Sequence, residues 1–332
     1  MSATGKLSDL GEFGFIDRIA ARATTGSGVI TGIGDDAAVT GLSPGMQLLT
    51  STDMLLEDVH FRRSWHDPFR LGRKSLAVNI SDIAAMGAIP RWATLSLAVP
   101  PGLPLDFLDQ FTAGFISMAS EHSVSLIGGD TCSSRSGLVI SVTIMGEQFP
   151  DRIIRRSGAC SGDDIWVTGS LGDAALGLML LESNAPADER LLARLLDPVP
   201  RAAFGAALAE VRCVSAMIDI SDGIVGDLGH ICELSGCGAE LFLDRLPVSP
   251  EFRSAVGTSQ EFPWQLVLSG GEDYELCFTA SPGHRENIAA CAKKCGINAV
   301  TVGIVTGTPG VRIQDTSGAI ILPEISSFNH FT

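Results

Sequence analysis

Aspartates flanked by glycine or serine recur along this chain: Asp35 and Asp36 in GIGDDAAV, Asp53 in STD, Asp82 in NISDIAAMGA, Asp130 in LIGGDT, and Asp219 and Asp222 in IDISDG. A carboxylate set in apolar sequence is costly to bury unless a cation or a hydrogen-bond donor answers it. These seven stand with scarcely a basic residue among them. That pattern points to hard divalent cations bound through oxygen, and such ions commonly serve phosphate chemistry. Ser51 and Thr52 add two hydroxyls beside Asp53, completing an all-oxygen set. Asp82 stands out because residues 76–86 are nearly all Ala, Val, Ile and Leu. Asn79 precedes it by one helical turn and shares its face.

Further groups cluster at predicted element ends. Gly128 and Gly129 would let the backbone approach a ligand beside Asp130. Asp219 and Asp222 straddle a strand end and a helix start, with Ser221 between them. A hydroxyl, main-chain N–H groups and two acids therefore converge there. The turn SGGEDYE carries Glu272, which could meet a polar or cationic ligand group. Arg155 and Arg156 could reach a nucleotide phosphate, and His60 a phosphate or an aromatic ring. Each group also has an ordinary reading: a solvated turn for Asp35 and Asp36, a partnered structural acid for Asp82, helix caps for Asp219 and Asp222, surface charge for the arginines, and a structural role for His60.

Metal ions with few basic residues suit transfer between two phosphate-bearing molecules, whose mutual repulsion the metals screen. An acceptor that is itself a phosphate is largely deprotonated near neutrality, so no general base is required. No obvious His–Asp or Lys base appears, and no residue is assigned a catalytic proton transfer.

These groups need elements to position them. Residues 10–22 read as a helix, with Phe13, Ile16, Ile19 and Ala20 at helical spacing. Strands are predicted over 28–31, 46–52 and 92–99, and helices over 70–86 and 106–121. Gly87 and Pro90 close the first of those helices. A strand over 125–127 should run into a Gly-Gly-Asp turn, followed by a strand over 138–147. The stretch QFPDRIIRRSGACSGDD reads as a boundary, giving domains 1–148 and 149–332. Beyond it, strands are predicted over 165–168, 216–220, 239–243, 266–268, 275–279, 300–305 and 311–314. Helices are predicted over 173–182, 187–196, 202–211, 223–235 and 285–295. This mixture lacks regular βαβ alternation, so α+β domains are favoured.

Several classes are excluded. Gly32, Gly34 and Ala37 match a dinucleotide fingerprint, with Asp53 near the place of a ribose-binding acid. Two carboxylates at the pyrophosphate turn would repel it, and Pro44-Gly45 leaves no room for the required helix. The formal charge of −15 argues against nucleic acid or an anionic membrane surface as the main partner. No apolar run reaches membrane-spanning length, and the N-terminus lacks the pattern of a signal peptide. The eight cysteines show neither metal-ligand nor disulfide-framework spacing, so reduced thiols in a cytoplasmic protein are expected.

At these same residues the chain resembles a known family. GIGDDAAV, STDMLLEDVHF, LAVNISDIAAMGA, LIGGDT, RRSGACSGDD, WVTGSLGDAALGL, IDISDGIVGDLGHI and LSGGEDYELCF occur in order from about residue 11 to the C-terminus. Together they look like thiamine-monophosphate kinase, a branch of the aminoimidazole ribonucleotide synthetase-like (PurM-like) ATP-binding superfamily. The resemblance implies a two-domain α+β subunit with a mixed-sheet N-terminal domain that binds ATP and Mg²⁺ and dimerises. It implies an α+β C-terminal domain that closes the active-site cleft, and in-line transfer from ATP to thiamine phosphate. By motif, Asp36, Ser51, Thr52, Asp53, Asp82, Asp130, Asp219 and Asp222 would bind Mg²⁺. Gly129, Asp130, Arg156 and Ser221 would contact ATP, and His60 and Glu272 the thiamine phosphate. Ile325 stands where the family often carries a tryptophan, which removes a stacking and cation–π contact to a thiamine ring. Another ATP-dependent enzyme of the superfamily would carry a different N-terminal segment or a reactive Cys or Lys there; residues 1–30 hold no Cys and only Lys6. A non-catalytic metal or nucleotide sensor would be expected to have lost key carboxylates, and none is missing.

Overall fold

Strict alternation of burial marks residues 139–145 of the N-terminal half. Ile140, Val142 and Ile144 are fully buried, while the residues between them are half-exposed, as a sheet covered on one face requires. The computed structural model describes residues 7–257, 262–315 and 317–321; Ile325 lies outside them. Two compact units divide the chain, Met1–Ile83 with Ile89–Pro150, and Ala84–Ala88 with Asp151–Thr332.

The first unit runs α1 (Leu7–Ala20), β1 (Val29–Thr31), β2 (Val39–Thr40), β3 (Gln47–Leu56), α2 (Pro68–Ala85), β4 (Ile89–Val99), α3 (Leu105–Glu121), β5 (Ser125–Ser133) and β6 (Val139–Gln148). The last two residues of α2 fall in the other unit. Strands β1 and β2 form an antiparallel ribbon, and the rest a sheet of order β3-β6-β4-β5. All its pairs are antiparallel except β4 with β5, which are joined through α3, the crossover that a parallel pair needs. Ile83 of α2 lies against Gly146 of β6, while Leu108, Phe111 and Phe115 of α3 are fully buried.

The second unit runs β7 (Asp164–Thr168), α4 (Asp173–Glu182), α5 (Glu189–Leu196), α6 (Ala202–Val211), β8 (Ala216–Ile220), α7 (Ile224–Ser235), β9 (Gly238–Phe242), α8 (Pro250–Val256), α9 (Trp264–Ser269), β10 (Glu275–Ala280), α10 (Arg285–Cys295), β11 (Ala299–Thr306), β12 (Gly310–Gln314) and β13 (Ile320–Ile321). Its sheet order is β13-β12-β9-β11-β7-β10-β8, and only β9 with β12 is parallel. Strands β7, β8 and β10 are buried at every position, so the acids they carry, Asp164, Asp219 and Glu275, are buried along with their apolar neighbours. Ile165, Val167, Ile218 and Ile220 share one core cluster with Ile224, Leu228 and Ile231 of α7.

The two halves are therefore α+β, each with a mixed sheet, as the sequence leads one to expect. Two elements differ. Residues 266–268, read as a strand, belong to the helix α9. The Gly-Gly-Asp segment is no turn: β5 continues through it to Ser133. A register shift opposite Ala93 and Thr94 leaves Ile127 as an extra residue, so the glycines mark a bulged strand. All eight cysteines are free, five of them buried. No helix among the described residues is long and apolar enough to cross a membrane.

Candidate functional site

In the first unit, β3 and α2 bring together residues that are distant in sequence. Ser51 and Asp53 sit two apart on β3, opposite Ile144 and Val142 of β6, and so share one face. The buried Leu49 and Leu55 lie on that same face. Asp82 projects from α2, and its Oδ2 accepts a hydrogen bond from the Ser51 hydroxyl at 2.5 Å. Burial, and then the neighbouring Asp82 charge, push the Asp53 carboxyl up to about 7. Among the described residues no cationic neighbour offsets either effect at Asp53. Two acids and a hydroxyl brought together in this way, with ionisation of Asp53 disfavoured, fit a divalent cation.

Strand alternation turns Thr52 the other way. Its hydroxyl is exposed, donates to the Val142 carbonyl at 3.0 Å and accepts from Thr143 at 3.1 Å. Ser51 and Thr52 thus do not offer two hydroxyls to one place, because neighbouring strand residues face opposite sides. Asp130 is exposed on β5 opposite Ser96, and its Oδ1 caps the next main-chain N–H at 2.9 Å. A Cβ at Gly129 would stand 1.8 Å from the Leu95 carbonyl oxygen, so only glycine lets β5 lie against β4 here. Asp36 is exposed in the loop between β1 and β2, and its N–H bonds to Asp35 at 2.8 Å. The Nδ1 of His60 accepts from the Leu56 N–H at 3.1 Å, which leaves Nε2 as the protonated, donating nitrogen of the neutral ring.

In the second unit, Asp219 is buried on β8 opposite Leu276 of β10, and β8 ends at Ile220. The turn that follows holds Ser221 and Asp222, both half-buried. The loop before β10 is stitched onto this turn: Glu272 N–H donates to the Ser221 carbonyl and Tyr274 N–H to the Ile220 carbonyl, each at 2.8 Å. Glu272 and Tyr274 take left-handed φ values of 68° and 49° to do so. A side chain at Gly271 would come within 2.5 Å of the Ser221 carbonyl oxygen. Ser221, Asp222 and Glu272, which lie apart in sequence, are therefore neighbours. Arg156 is exposed, and its charge reaches Asp227, where it favours the ionised form.

Sequence reasoning missed the buried acids behind this turn. The Oδ2 of Asp227 accepts the N–H groups of both Ser221 and Asp222 at 3.1 Å. Burial pushes its carboxyl up to about 7. The Asp273 carboxylate takes the Gly172 N–H at 3.0 and 3.1 Å, and burial raises its pKa well above the ordinary range. Glu275 is locked by the Thr168 hydroxyl at 2.6 Å and by Arg201 Nε at 2.6 Å. Each lies in or beside a quoted motif, but an acid's hydrogen-bond partner cannot be read from spacing. Among the described residues no three His, Cys, Asp or Glu gather into one metal-binding group. Asp36, Asp53, Asp82 and Asp130 belong to the first unit, Asp219 and Asp222 to the second. A hollow lined by Arg152, Arg155, Ser157, Arg212 and Ser215 contains none of these residues.

Comparison with known proteins places this arrangement. Residues 34–148 match the AIR synthase related protein N-terminal domain, and residues 161–316 its C-terminal domain. The thiamine-monophosphate kinase of Salmonella typhimurium is 40% identical over 299 residues, covering 88% of this chain and 90% of that protein. The crystal structure of thiamine-monophosphate kinase from Stenotrophomonas maltophilia superimposes with a TM-score of 0.83 at 40% identity, over 92% of this chain and 96% of that one. A structure of AaThiL complexed with AMPPCP and TMP gives a TM-score of 0.77 at 31% identity, over 99% of this chain and 100% of the other. With both domain models matched in order and such relatives aligned nearly end to end, the chain belongs to the thiamine-monophosphate kinase family.

Proposed function

We infer that this chain transfers the γ-phosphoryl group of ATP to the phosphate of thiamine phosphate, giving thiamine diphosphate and ADP, a step of thiamine diphosphate biosynthesis. The observation that carries the reading is the family membership together with the juxtaposition of Ser51, Asp53 and Asp82, an oxygen-donor set in which, among the described residues, no countercharge acts on Asp53. A relative complexed with AMPPCP and TMP supports the same pair of substrates.

The metal would be Mg²⁺, several ions of it, held by Asp36, Ser51, Asp53, Asp82, Asp130, Asp219 and Asp222. Thr52 would contribute only through its main-chain oxygen, since its hydroxyl faces away from Asp53. When bound, such ions neutralise phosphate oxygens and stabilise the charge spread over the transferring group. Gly129, Asp130, Arg156 and Ser221 would contact ATP, the glycine by allowing close backbone approach. His60 would donate its Nε2–H to a phosphate oxygen of thiamine phosphate, and Glu272 would face its cationic part. Ile325 would line the same substrate. No residue is needed as a general base, because the acceptor oxygen is already ionised.

Residues 1–148 would form the domain that binds ATP and Mg²⁺ and pairs two subunits into a homodimer, with 149–332 as the second domain. The compartment would be the cytoplasm. The test is ³¹P NMR of the purified protein with ATP, Mg²⁺ and thiamine phosphate, with thiamine as a parallel acceptor. Growth of ADP and thiamine diphosphate signals from the phosphorylated acceptor alone is expected. No transfer by folded protein would refute the reading, and transfer to thiamine itself would refute the mechanism without a base.

A further inference from the structure

We propose that Asp227 is a positioning residue of the nucleotide site: it holds the Ser221–Asp222 turn by its two main-chain N–H groups and touches no substrate itself. The proposal deepens the reading of that turn as an ATP and metal contact, and rests on it.

Helix α7 starts at Ile224 with Gly223 as its N-cap, at φ 103° and with no side chain to offer. An ordinary cap lies ahead of its helix and bonds the unsatisfied N–H groups of the first turn. Here the direction is reversed. Asp227, inside the first turn and only 3% exposed, reaches back to amides that precede the helix. One oxygen, Oδ2, takes both bonds at 3.1 Å. The bonds therefore shape the turn and not the helix.

Two consequences follow from that geometry. Ser221 and Asp222 are tied down through their backbones, so neither side chain has to serve as a cap. The Ser221 carbonyl, on the same fixed peptide chain, receives the Glu272 N–H at 2.8 Å. The pin thus reaches the substrate-facing loop as well, and Arg156 lies within electrostatic range of the same carboxylate. Three proposed ligand contacts, Ser221, Asp222 and Glu272, share this one buried anchor.

The experiment compares Asp227→Ala and Asp227→Asn in the full chain. Asparagine presents a carbonyl oxygen where Oδ2 stands and can take both N–H groups; alanine can take neither. With the fold checked by circular dichroism and melting, Asp227→Ala should weaken Mg·ADP binding and raise the KM for ATP by about tenfold or more, the effect of losing two modest hydrogen bonds. Asp227→Asn should stay within about threefold of wild type on both measures. Folded Asp227→Ala with wild-type Mg·ADP affinity overturns the proposal. So does Asp227→Asn as impaired as alanine, because the charge and not the acceptor would then matter. If alanine fails to fold, amide hydrogen exchange decides: Ser221 and Asp222 should be protected in wild type and in Asp227→Asn, and peptide-like rates in either overturn the pin. Mg·ADP binding is measured without thiamine phosphate, so a failed phosphoryl transfer assay and a failed pin give separable results.

Discussion

Removing Arg201 should destabilise the second unit sharply while leaving the first intact. The guanidinium is 10% exposed in its side chain and faces a Glu275 carboxylate that is 1% exposed. Its Nε bonds Oε2 at 2.6 Å and its Nη2 bonds Oε1, a bidentate pair. Burial works against the arginine charge, yet the Glu275 bonds outweigh it and hold the Arg201 pKa above its ordinary value. Breaking such a pair from one side leaves a buried charge without its partner, a loss of about 3–5 kcal/mol. Two groups remain to soften it, the Thr168 hydroxyl at 2.6 Å and Arg194 Nη1 at 3.6 Å, so Arg201→Met should lie near the lower end, about 3 kcal/mol. For a unit of this size that is a drop of roughly 6–12 °C in its melting transition, read by scanning calorimetry. The double variant Arg201→Met with Glu275→Leu removes both charges and should recover most of the loss. Because Glu275 opens β10 directly after the Glu272 loop, the single variant should also raise the KM for thiamine phosphate. A melting temperature within about 2 °C of wild type, or a double variant as unstable as the single one, would refute the reasoning.

Three other perturbations test the site and the fold. Asp82→Asn should cut kcat by about a hundredfold or more with circular dichroism and melting unchanged, since the acid is assigned to metal binding and not to the core; near-normal turnover would remove it from the site. Gly271→Ala should raise the KM for thiamine phosphate, because the new methyl would meet the Ser221 carbonyl oxygen at 2.5 Å and displace the Glu272 loop; an unchanged KM would show that the loop is not held as described. Burial, with the Lys74 and Arg70 charges adding to it, pushes the His66 imidazole down to about 3. The unfolded chain then binds a proton that the folded one refuses, so stability is full above the unfolded pKa and declines as pH falls toward the folded one, by about 2 kcal/mol between about pH 8 and about pH 5. His66→Phe should flatten that part of the urea-midpoint profile against pH, and an unaltered slope would assign it to other groups.

What the sequence made legible follows from the range of the interactions involved. Helices α2, α3 and α10 announce themselves by periodicity, and α2 and α10 also by the glycines that follow them; these are local signals, and the helix ends fall within a few residues of expectation. Helix α9 does not, because WQLVLS is too short for its apolar run to distinguish a strand from a buried helical turn. The Gly-Gly-Asp segment misleads in another way. Its glycines serve the approach of β5 to β4, a contact between strands that no local pattern encodes. At the site, residue types were readable and pairings were not. The hydrogen bond from Ser51 to Asp82 needs a particular seating of α2 on β3, and Thr52 was separable from Ser51 only once the strand was known to run on to Leu56. Asp227 stayed hidden because a carboxylate four residues beyond a glycine cap looks like any acid in a first helical turn.

The structure also sorts the acids by what answers them. Glu275 has Arg201, Asp164 has Arg285, Glu147 has Arg91 and Asp109 has Arg18, each within ion-pair distance. Among the described residues no such pair is formed by Asp36, Asp53, Asp130 or Asp222, all taken from the glycine- and serine-flanked motifs. The chain has 23 basic residues against 38 acidic ones, so many acids must go without, and for exposed ones such as Asp106, Asp188 and Glu233 water suffices; Asp53 differs in being half-buried beside a second carboxylate. Asp53 shows the consequence most clearly, since among the described residues the charge that acts on it is a second carboxylate. A protein that evolved for stability alone would place an arginine there, or bury an apolar side chain at lower cost. Leaving the position anionic makes sense if the countercharge arrives with the substrate, as a metal ion already bound to phosphate. On that argument the scarcity of lysine and arginine around these motifs is itself functional: a permanent cation would compete with the metal for the same oxygens.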